Sequence, residues 1–302
     1  MSWAWIPITI WAALAQTFRN AAQRHLTRDL GTLGATLVRF LYGLPFALLW
    51  LLVLRTGLGL AIPTPNWIAA GWTVVGAVGQ LVATALLLRT MEERNFAVGV
   101  IYSKTEIVQI AVFAIVLLGD PLSLTAATAI LLVTVGLVLV SLTGAPAAAA
   151  SLMRAWSSPA ARFGLGSGAA FAISTVGYRG AALALHAGSL FMAAGYVLVA
   201  ALALQVLLLG GWLLLREPEV VTAVLRAWRL SLAAGLAGAA GSAGWLTAMA
   251  LEPVAHVRTL GLVEIFFSYA VSRRIFKERI GRLELAGIAL IAGGVALIAS
   301  AG

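Results

Sequence analysis

Two charged side chains stand inside a predicted membrane span. The segment IYSKTEIVQI (residues 101–110) carries Lys104 and Glu106 in the middle of an apolar run. A charge at the centre of a bilayer costs from about 2.5 to more than 10 kcal/mol. Lys104 and Glu106 lie about 200° apart around a helix, so they cannot pair along it. Each side chain therefore requires water, a ligand or a partner on another helix.

Further polar residues inside predicted spans extend this candidate site. Helical spacing places Tyr102, Glu106 and Gln109 on one face, and it places His256 and Glu264 on another. Glutamates would bind an amine or carry protons, and basic residues would bind a carboxylate or phosphate. The alternative is that the buried charges form structural pairs. We predict a solute-binding site formed by Lys104, Glu106, Glu264, Arg39, Gln16, Tyr102, Gln109 and His256, with Glu106 and Glu264 as candidate proton carriers.

The composition indicates that these residues are positioned by membrane-spanning helices. The chain has 302 residues, of which 62% are hydrophobic and 10% are charged, whereas soluble domains carry about 25% charged residues. There is no cysteine, which excludes disulfides and cysteine chemistry. The net charge of +9 comes from basic residues in short connectors. This distribution is typical of membrane orientation and argues against a nucleic-acid-binding face.

The chain contains ten apolar runs that are long enough to cross a bilayer, since a spanning helix needs about 20 such residues. A connector, TGAPAAAASLMRAWSSPA, separates two halves. We therefore divide the chain into a first five-helix unit (1–143), a linker (144–160) and a second five-helix unit (161–302). The predicted spans lie near 3–22, 32–54, 67–88, 96–117, 122–142, 163–184, 189–214, 230–250, 254–272 and 284–301.

The basic residues of the connectors are divided unequally between the two sides. The connectors after spans 1, 3, 5, 7 and 9 hold fourteen, and the opposite connectors and termini hold only Arg55. Cytoplasmic loops carry the excess of Arg and Lys. We therefore predict a multi-pass protein of the bacterial inner membrane with both termini in the periplasm. The fourteen are Arg24, Arg28, Arg89, Arg94, Arg154, Arg162, Arg216, Arg226, Arg229, Arg273, Arg274, Lys277, Arg279 and Arg282.

An internal repeat relates the two halves. Glu106 and Glu264 are separated by 158 positions (264 minus 106), and the same shift aligns Gly136 with Gly294. Because each half has an odd number of spans, the second half must enter the membrane in the opposite orientation. Inverted repeats around a central site are a recurring transporter design. The predicted fold is therefore an all-α polytopic membrane protein, with ten transmembrane helices in two inverted five-helix repeats around a central cavity.

The repeated ending of each half resembles a known family. KTEIVQIAVFAIVLLGDPLSLTAATAILLVTVGLVLV and VEIFFSYAVSRRIFKERIGRLELAGIALIAGGVALI each contain an apolar helix, a short acidic turn (Gly119–Pro121 and Lys277–Arg279) and a glycine-bearing last helix. This pattern is similar to the EamA-type branch of the drug/metabolite transporter superfamily, and the likeness covers the whole chain. The resemblance implies a ten-helix basket, alternating access and small organic solutes such as amino acids.

The predicted function is secondary transport of a small polar or zwitterionic metabolite. The alternatives are multidrug or organic-cation efflux by the same fold, a non-transporting scaffold, or an intramembrane enzyme acting on lipids. The sequence has no HExxH, Walker or DDxxD motif, so we expect no cofactor, no metal site and no enzymatic activity. The expected partners are the solute, the lipid bilayer and protons as a candidate coupling ion. Substrate, direction and oligomeric state remain open.

The charge asymmetry generates a topology prediction. An alkaline phosphatase fused after Gly302 should be active, because the predicted C-terminus lies in the periplasm, where the enzyme folds. A matched fusion after Arg154, in the predicted cytoplasmic linker, should be inactive. The opposite pattern of activity would reverse the predicted orientation.

Overall fold

The computed structural model describes residues 3–93, 103, 106, 109, 123–141, 159–275 and 281–301, which form helices and connecting turns with no strand. The helices are α1 (Trp5–Leu41), α2 (Leu44–Thr56), α3 (Trp67–Glu93), α4 (Leu124–Ser141), α5 (Pro159–Ala184), α6 (Leu190–Gln205), α7 (Gly211–Arg216), α8 (Pro218–Arg226), α9 (Trp228–Leu251), α10 (Val254–Leu260), α11 (Glu264–Arg274) and α12 (Arg282–Ala301). A π turn (Val206–Gly210) joins α6 to α7, and a 3-10 turn (Gly261–Val263) joins α10 to α11.

Helix α1 is a hairpin of two arms that meet at Gly31. The φ and ψ angles of Gly31 are 66° and 174°, outside the helical region. The Gln23 amide donates to the Ala35 carbonyl at 2.8 Å, although the two residues are 12 positions apart. In a straight helix they would be separated by about 18 Å. The first predicted span is therefore the first arm of this hairpin, which continues through the predicted connector to Leu30. The second predicted span comprises the second arm together with α2.

The described surface exposes large apolar side chains, whereas several charged side chains are buried in the interior. Trp67 is 92% exposed and Leu215 is 85% exposed, whereas Arg19 is 1% exposed and Glu264 is fully buried. Four helical stretches, Trp5–Thr56, Trp67–Glu93, Leu190–Arg216 and Trp228–Met249, are long and apolar enough to cross a bilayer. Lipid accepts apolar surface and disfavours exposed charge. This distribution is compatible with a membrane location.

Three helix pairs pack most extensively: α1 with α9, α3 with α5, and α4 with α12. Small residues allow this close approach. A side-chain carbon at Gly177 would lie 2.8 Å from the backbone nitrogen of Gly76, and one at Gly244 would lie 2.9 Å from the Ala12 Cβ. The glycine- and alanine-rich spans therefore serve as helix contacts, and they bring polar residues of distant segments together.

The structure corrects two details of the sequence prediction. The ninth predicted span is interrupted by the 3-10 turn between α10 and α11. The predicted connector between spans 7 and 8 (215–229) contains an amphipathic helix, α8, with Val224 buried. Predicted span 4 lies outside the described residues except for three positions, so the described helices give fewer spans than ten.

The contact between α4 and α12 generates a stability prediction. A Cβ at Gly294 would lie 2.7 Å from the Val133 Cγ2 and 2.9 Å from the Ala129 carbonyl oxygen, whereas one at Gly293 would have no neighbour within 4 Å. Gly294→Ala should lower the free energy of unfolding by about 1–3 kcal/mol through overpacking. Gly293→Ala should leave it unchanged or raise it. Thermal unfolding midpoints in detergent measure the difference, and equal midpoints would contradict this packing.

Candidate functional site

A polar cavity lies between the helices. Its free volume is about 30 Å³, which leaves room for only a few water molecules. Both hairpin arms of α1 contribute to it, together with α3, α5, α6, α9, α10, α11 and positions 103 and 106. Its polar lining residues are Gln16, Asn20, Arg39, Gln80, Ser103, Glu106, Ser174, Tyr178, Ser242, Trp245, Arg258 and Glu264.

Glu264, the first residue of α11, is held by two side-chain amides of α1. Gln16 Nε2 donates to Glu264 Oε2 at 2.6 Å, and Asn20 Nδ2 donates to Oε1 at 3.1 Å. Arg19, itself 1% exposed, donates to Asn20 Oδ1 through Nη2 at 2.6 Å. The three α1 residues lie within one helical turn, which places them on neighbouring positions. A buried carboxylate is thereby stabilised by neutral donors, and a buried cation lies behind them.

Glu106 meets Arg258, which comes from α10. Arg258 Nη1 lies 3.4 Å from Glu106 Oε1, and Nη2 donates to the hydroxyl of Thr175. The guanidinium carbon of Arg258 also lies 4.9 Å from the ring centroid of Trp245. Ion pairing, hydrogen bonding and a cation–π contact together offset the desolvation of this arginine.

Arg39 faces the cavity from the second arm of α1 and is 3% exposed. Its Nη1 donates to the Thr84 hydroxyl at 2.7 Å, and its guanidinium carbon lies 5.5 Å from the centroid of the Phe40 ring. Among the described residues, no carboxylate is hydrogen-bonded to Arg39. A buried cation without a paired anion is costly, so Arg39 is the cavity-lining cation with the greatest capacity for an added anion.

A second polar network borders the cavity between α3, α5 and α6. The Tyr178 hydroxyl donates to Gln80 Oε1 at 2.9 Å. Gln205 Nε2 lies 3.0 Å from Gln80 Oε1 and 3.1 Å from the Tyr178 hydroxyl. Gln205 is fully buried and immediately precedes the π turn. These bonds fix the two amides and the phenol relative to each other.

The structure brings four of the predicted site residues around one cavity: Glu106, Glu264, Arg39 and Gln16. Gln109 is half-buried and does not belong to the described lining. His256 is also half-buried and outside that lining, where its Nδ1 lies 2.7 Å from Glu252 Oε1. Lys104 and Tyr102 lie outside the described residues. The roles of all eight residues in binding or proton transfer remain predictions.

Several cavity residues are not among the eight that were predicted from the sequence. Arg258 and Asn20 are polar residues within predicted spans, but their partners are 152 and 244 positions away. Trp245 follows a run of glycine, alanine and serine, where an isolated bulky side chain was the only available signal. Within the described part of the chain, no group of three or more His, Cys, Asp and Glu residues could hold a metal ion.

Comparisons with known proteins show the fold of the chain. No family model matches the chain, and no curated protein matches it. One solved structure, described only as a crystal structure of a protein, is similar with a TM-score of 0.67 and 17% identity, over 100% of both chains. The chain therefore shares its overall fold with a known structure along its whole length.

Proposed function

We propose that this chain is a secondary transporter of the EamA type, which moves a small polar or zwitterionic metabolite across the bacterial inner membrane by alternating access. One observation carries the proposal: a polar cavity with two buried carboxylates and two arginines lies within a helical body whose outer surface is apolar. Intramembrane ionisable residues that surround a cavity are typical of solute pathways.

The uneven pairing of the charges favours a binding site over a purely structural role. Glu106 and Arg258 pair with each other, as a structural pair would. Arg39 has only the neutral hydroxyl of Thr84 as a hydrogen-bond partner among the described residues, although it lines the same cavity. A scaffold gains nothing from a buried cation of this kind, whereas a solute anion would neutralise it.

The same charges favour a zwitterion over a lipophilic cation. Arg39 offers a guanidinium to a solute carboxylate, and Glu264, which lines the same cavity, offers a carboxylate to a solute amine. A cation would gain from Glu264 but would be repelled by Arg39 and Arg258. A zwitterion satisfies both ends and leaves the net charge of the cavity unchanged.

Packing between α4 and α12 supports the proposed inverted repeat. A side-chain carbon at Gly136 would lie 2.8 Å from Ile291, and one at Gly294 would lie 2.7 Å from Val133. Gly136 and Gly294 differ by 158 positions, as do Val133 and Ile291 (294 minus 136 and 291 minus 133). Equivalent residues therefore make equivalent contacts, as expected where a pseudo-two-fold axis passes between these two helices.

The other extensive helix pairs agree with this symmetry. In the proposed repeat, the first arm of α1 corresponds to α5, and α3 corresponds to α9. The proposed two-fold axis then relates the pair α1–α9 to the pair α3–α5, and both pairs pack extensively. With the segment near 96–117 counted as a span, the proposed arrangement is ten spans in two oppositely inserted units.

Contacts that join the two units across the cavity support the proposed alternating access. Gln16 and Asn20 of the first unit bind Glu264 of the second, and Glu106 of the first binds Arg258 of the second. Because the cavity is narrow, entry of a solute requires some of these contacts to break. A solute with matching charges replaces them, so that opening and binding are linked.

The experiment is counterflow in proteoliposomes with a panel of labelled solutes that includes amino acids, their decarboxylated amines and a lipophilic cation. We expect exchange of a zwitterion and weaker exchange of its amine. Exchange of the cation alone would favour efflux of cations, and the absence of exchange for every solute would favour a scaffold.

Variants of the two buried carboxylates test the site itself. Glu264→Gln and Glu106→Gln should each lower the exchange rate at least about tenfold, because a charge-assisted interaction worth about 1.5–3 kcal/mol is removed. Glu92→Gln, an exposed position paired with Arg89, is the matched control and should exchange at the wild-type rate. Thermal unfolding shows that each variant is folded. Full exchange by either buried variant would remove that glutamate from the mechanism.

A further inference from the structure

Trp245 of α9 lies between two carboxylate clusters of the cavity. One is Glu264 with Gln16 and Asn20, and the other is Glu106 with Arg258. It is 5% exposed, and its indole Nε1 donates to Gln16 Oε1 at 2.9 Å. The face of the same ring lies under Arg258, with the guanidinium carbon 4.9 Å from the ring centroid. One side chain thus contacts a residue of α1 through its edge and a residue of α10 through its face.

Each of these two neighbours leads to one glutamate. Gln16 donates to Glu264 at 2.6 Å, and Arg258 lies 3.4 Å from Glu106. A continuous series of contacts therefore runs from Glu106 through Arg258, Trp245 and Gln16 to Glu264. Contacting side chains in one polar network are the ones whose energies depend on each other.

The indole N–H also determines the orientation of the Gln16 side-chain amide. An indole nitrogen can only donate, so it binds the amide oxygen of Gln16 and leaves the amide nitrogen for Glu264. A phenylalanine at position 245 would retain a ring for Arg258 but remove the donor. Gln16 would then be free to turn its oxygen towards the carboxylate, and its contact with Glu264 would weaken.

The far edge of the Trp245 ring packs against the interruption between α10 and α11. A Cβ at Gly261 would overlap the ring atoms Cη2 and Cζ3. Gly261 begins the 3-10 turn that separates Arg258 on α10 from Glu264 on α11. A 3-10 turn within a helix often marks a hinge. Trp245 therefore contacts the turn about which these two charged residues would move relative to each other.

We propose that Trp245 is a positioning residue that couples the two carboxylate clusters, so that a change at the Glu106–Arg258 pair alters how Gln16 holds Glu264. This inference rests on the proposed transport function and adds a mechanism to it. A solute that displaces Arg258 from Glu106 shifts the ring, and the ring shifts Gln16. The two clusters then respond as one unit when the cavity is occupied.

A double-mutant cycle measures this coupling. Thr175→Val removes the hydroxyl that binds Arg258, and Gln16→Ala removes the amide that binds Glu264. Solute affinity is measured by equilibrium binding with the zwitterion that gives the strongest counterflow. The combined effect of the two changes should differ from the product of the single effects by about threefold or more, as for contacting residues. In a Trp245→Phe background the effects should become multiplicative.

Two controls separate coupling from damage to the fold. Trp212→Phe makes the same change at a side chain that is 45% exposed, and the coupling should survive it. Gly261→Ala should lower the thermal unfolding midpoint in the wild-type background and be tolerated with Trp245→Phe, because phenylalanine lacks the atoms that a Cβ would meet. Loss of coupling in both tryptophan variants, or failure of this rescue, would overturn the assigned packing.

The outcomes distinguish the inference from the function on which it rests. The role of Trp245 would be overturned if the effects of Thr175→Val and Gln16→Ala on solute affinity were multiplicative in the wild-type background. It would also be overturned if the coupling between them were the same in the Trp245→Phe background. Counterflow would still support transport in either case. The absence of counterflow would overturn the proposed function. The same cycle is therefore also measured from the thermal unfolding midpoints of the solute-free protein. A coupling that disappears with Trp245→Phe supports the proposed role of Trp245, and an unchanged coupling refutes it.

Discussion

The structure depends on charged side chains having partners inside a body that leaves room for only a few water molecules. Glu264 is fully buried and Glu106 is 2% exposed, so neither can be solvated from outside. Removing one partner of a buried charge leaves an uncompensated charge, which costs about 3–5 kcal/mol. The positions of α1, α10 and α11 are therefore tied to the two carboxylates. Helices that could slide freely over small-residue surfaces are fixed in register by a few polar contacts.

Close helix packing and polar contacts depend on each other here. Gly238 of α9 illustrates this relation, because a Cβ there would lie 3.3 Å from the Arg19 Cδ and 3.6 Å from the Arg39 Cγ. Both arginines lay their aliphatic stems against the glycine, and larger residues in α9 would displace them. Small residues thus provide space for long charged side chains as well as for neighbouring backbones. The composition of α9 is part of the polar site, although none of its glycines is polar.

The sequence was sufficient to predict an all-helical fold and four of the eight predicted site residues as neighbours in one cavity. Buried charge is a strong signal because it is costly, which is why Glu106, Glu264 and Arg39 could be identified without a structure. The partners could not be assigned, because Gln16 and Glu264 are 248 positions apart and helical periodicity relates only near neighbours. The turn at Gly261–Val263 also escaped prediction, since its residues are as apolar as those of a continuous span.

The proposed repeat gives the two glutamates equivalent places but different surroundings. At the shift of 158 that relates Glu106 to Glu264, the counterpart of Arg258 is Val100 (258 minus 158). At the shift of 160 that relates the starts of the two halves, the counterpart of Gln16 is Val176. One carboxylate thus contacts an arginine, and the other contacts two side-chain amides. In the proposed transporter, the symmetric packing would form a scaffold that rocks about a central axis, and a zwitterion would meet different contacts at Glu106 and at Glu264. It would therefore be bound in one orientation.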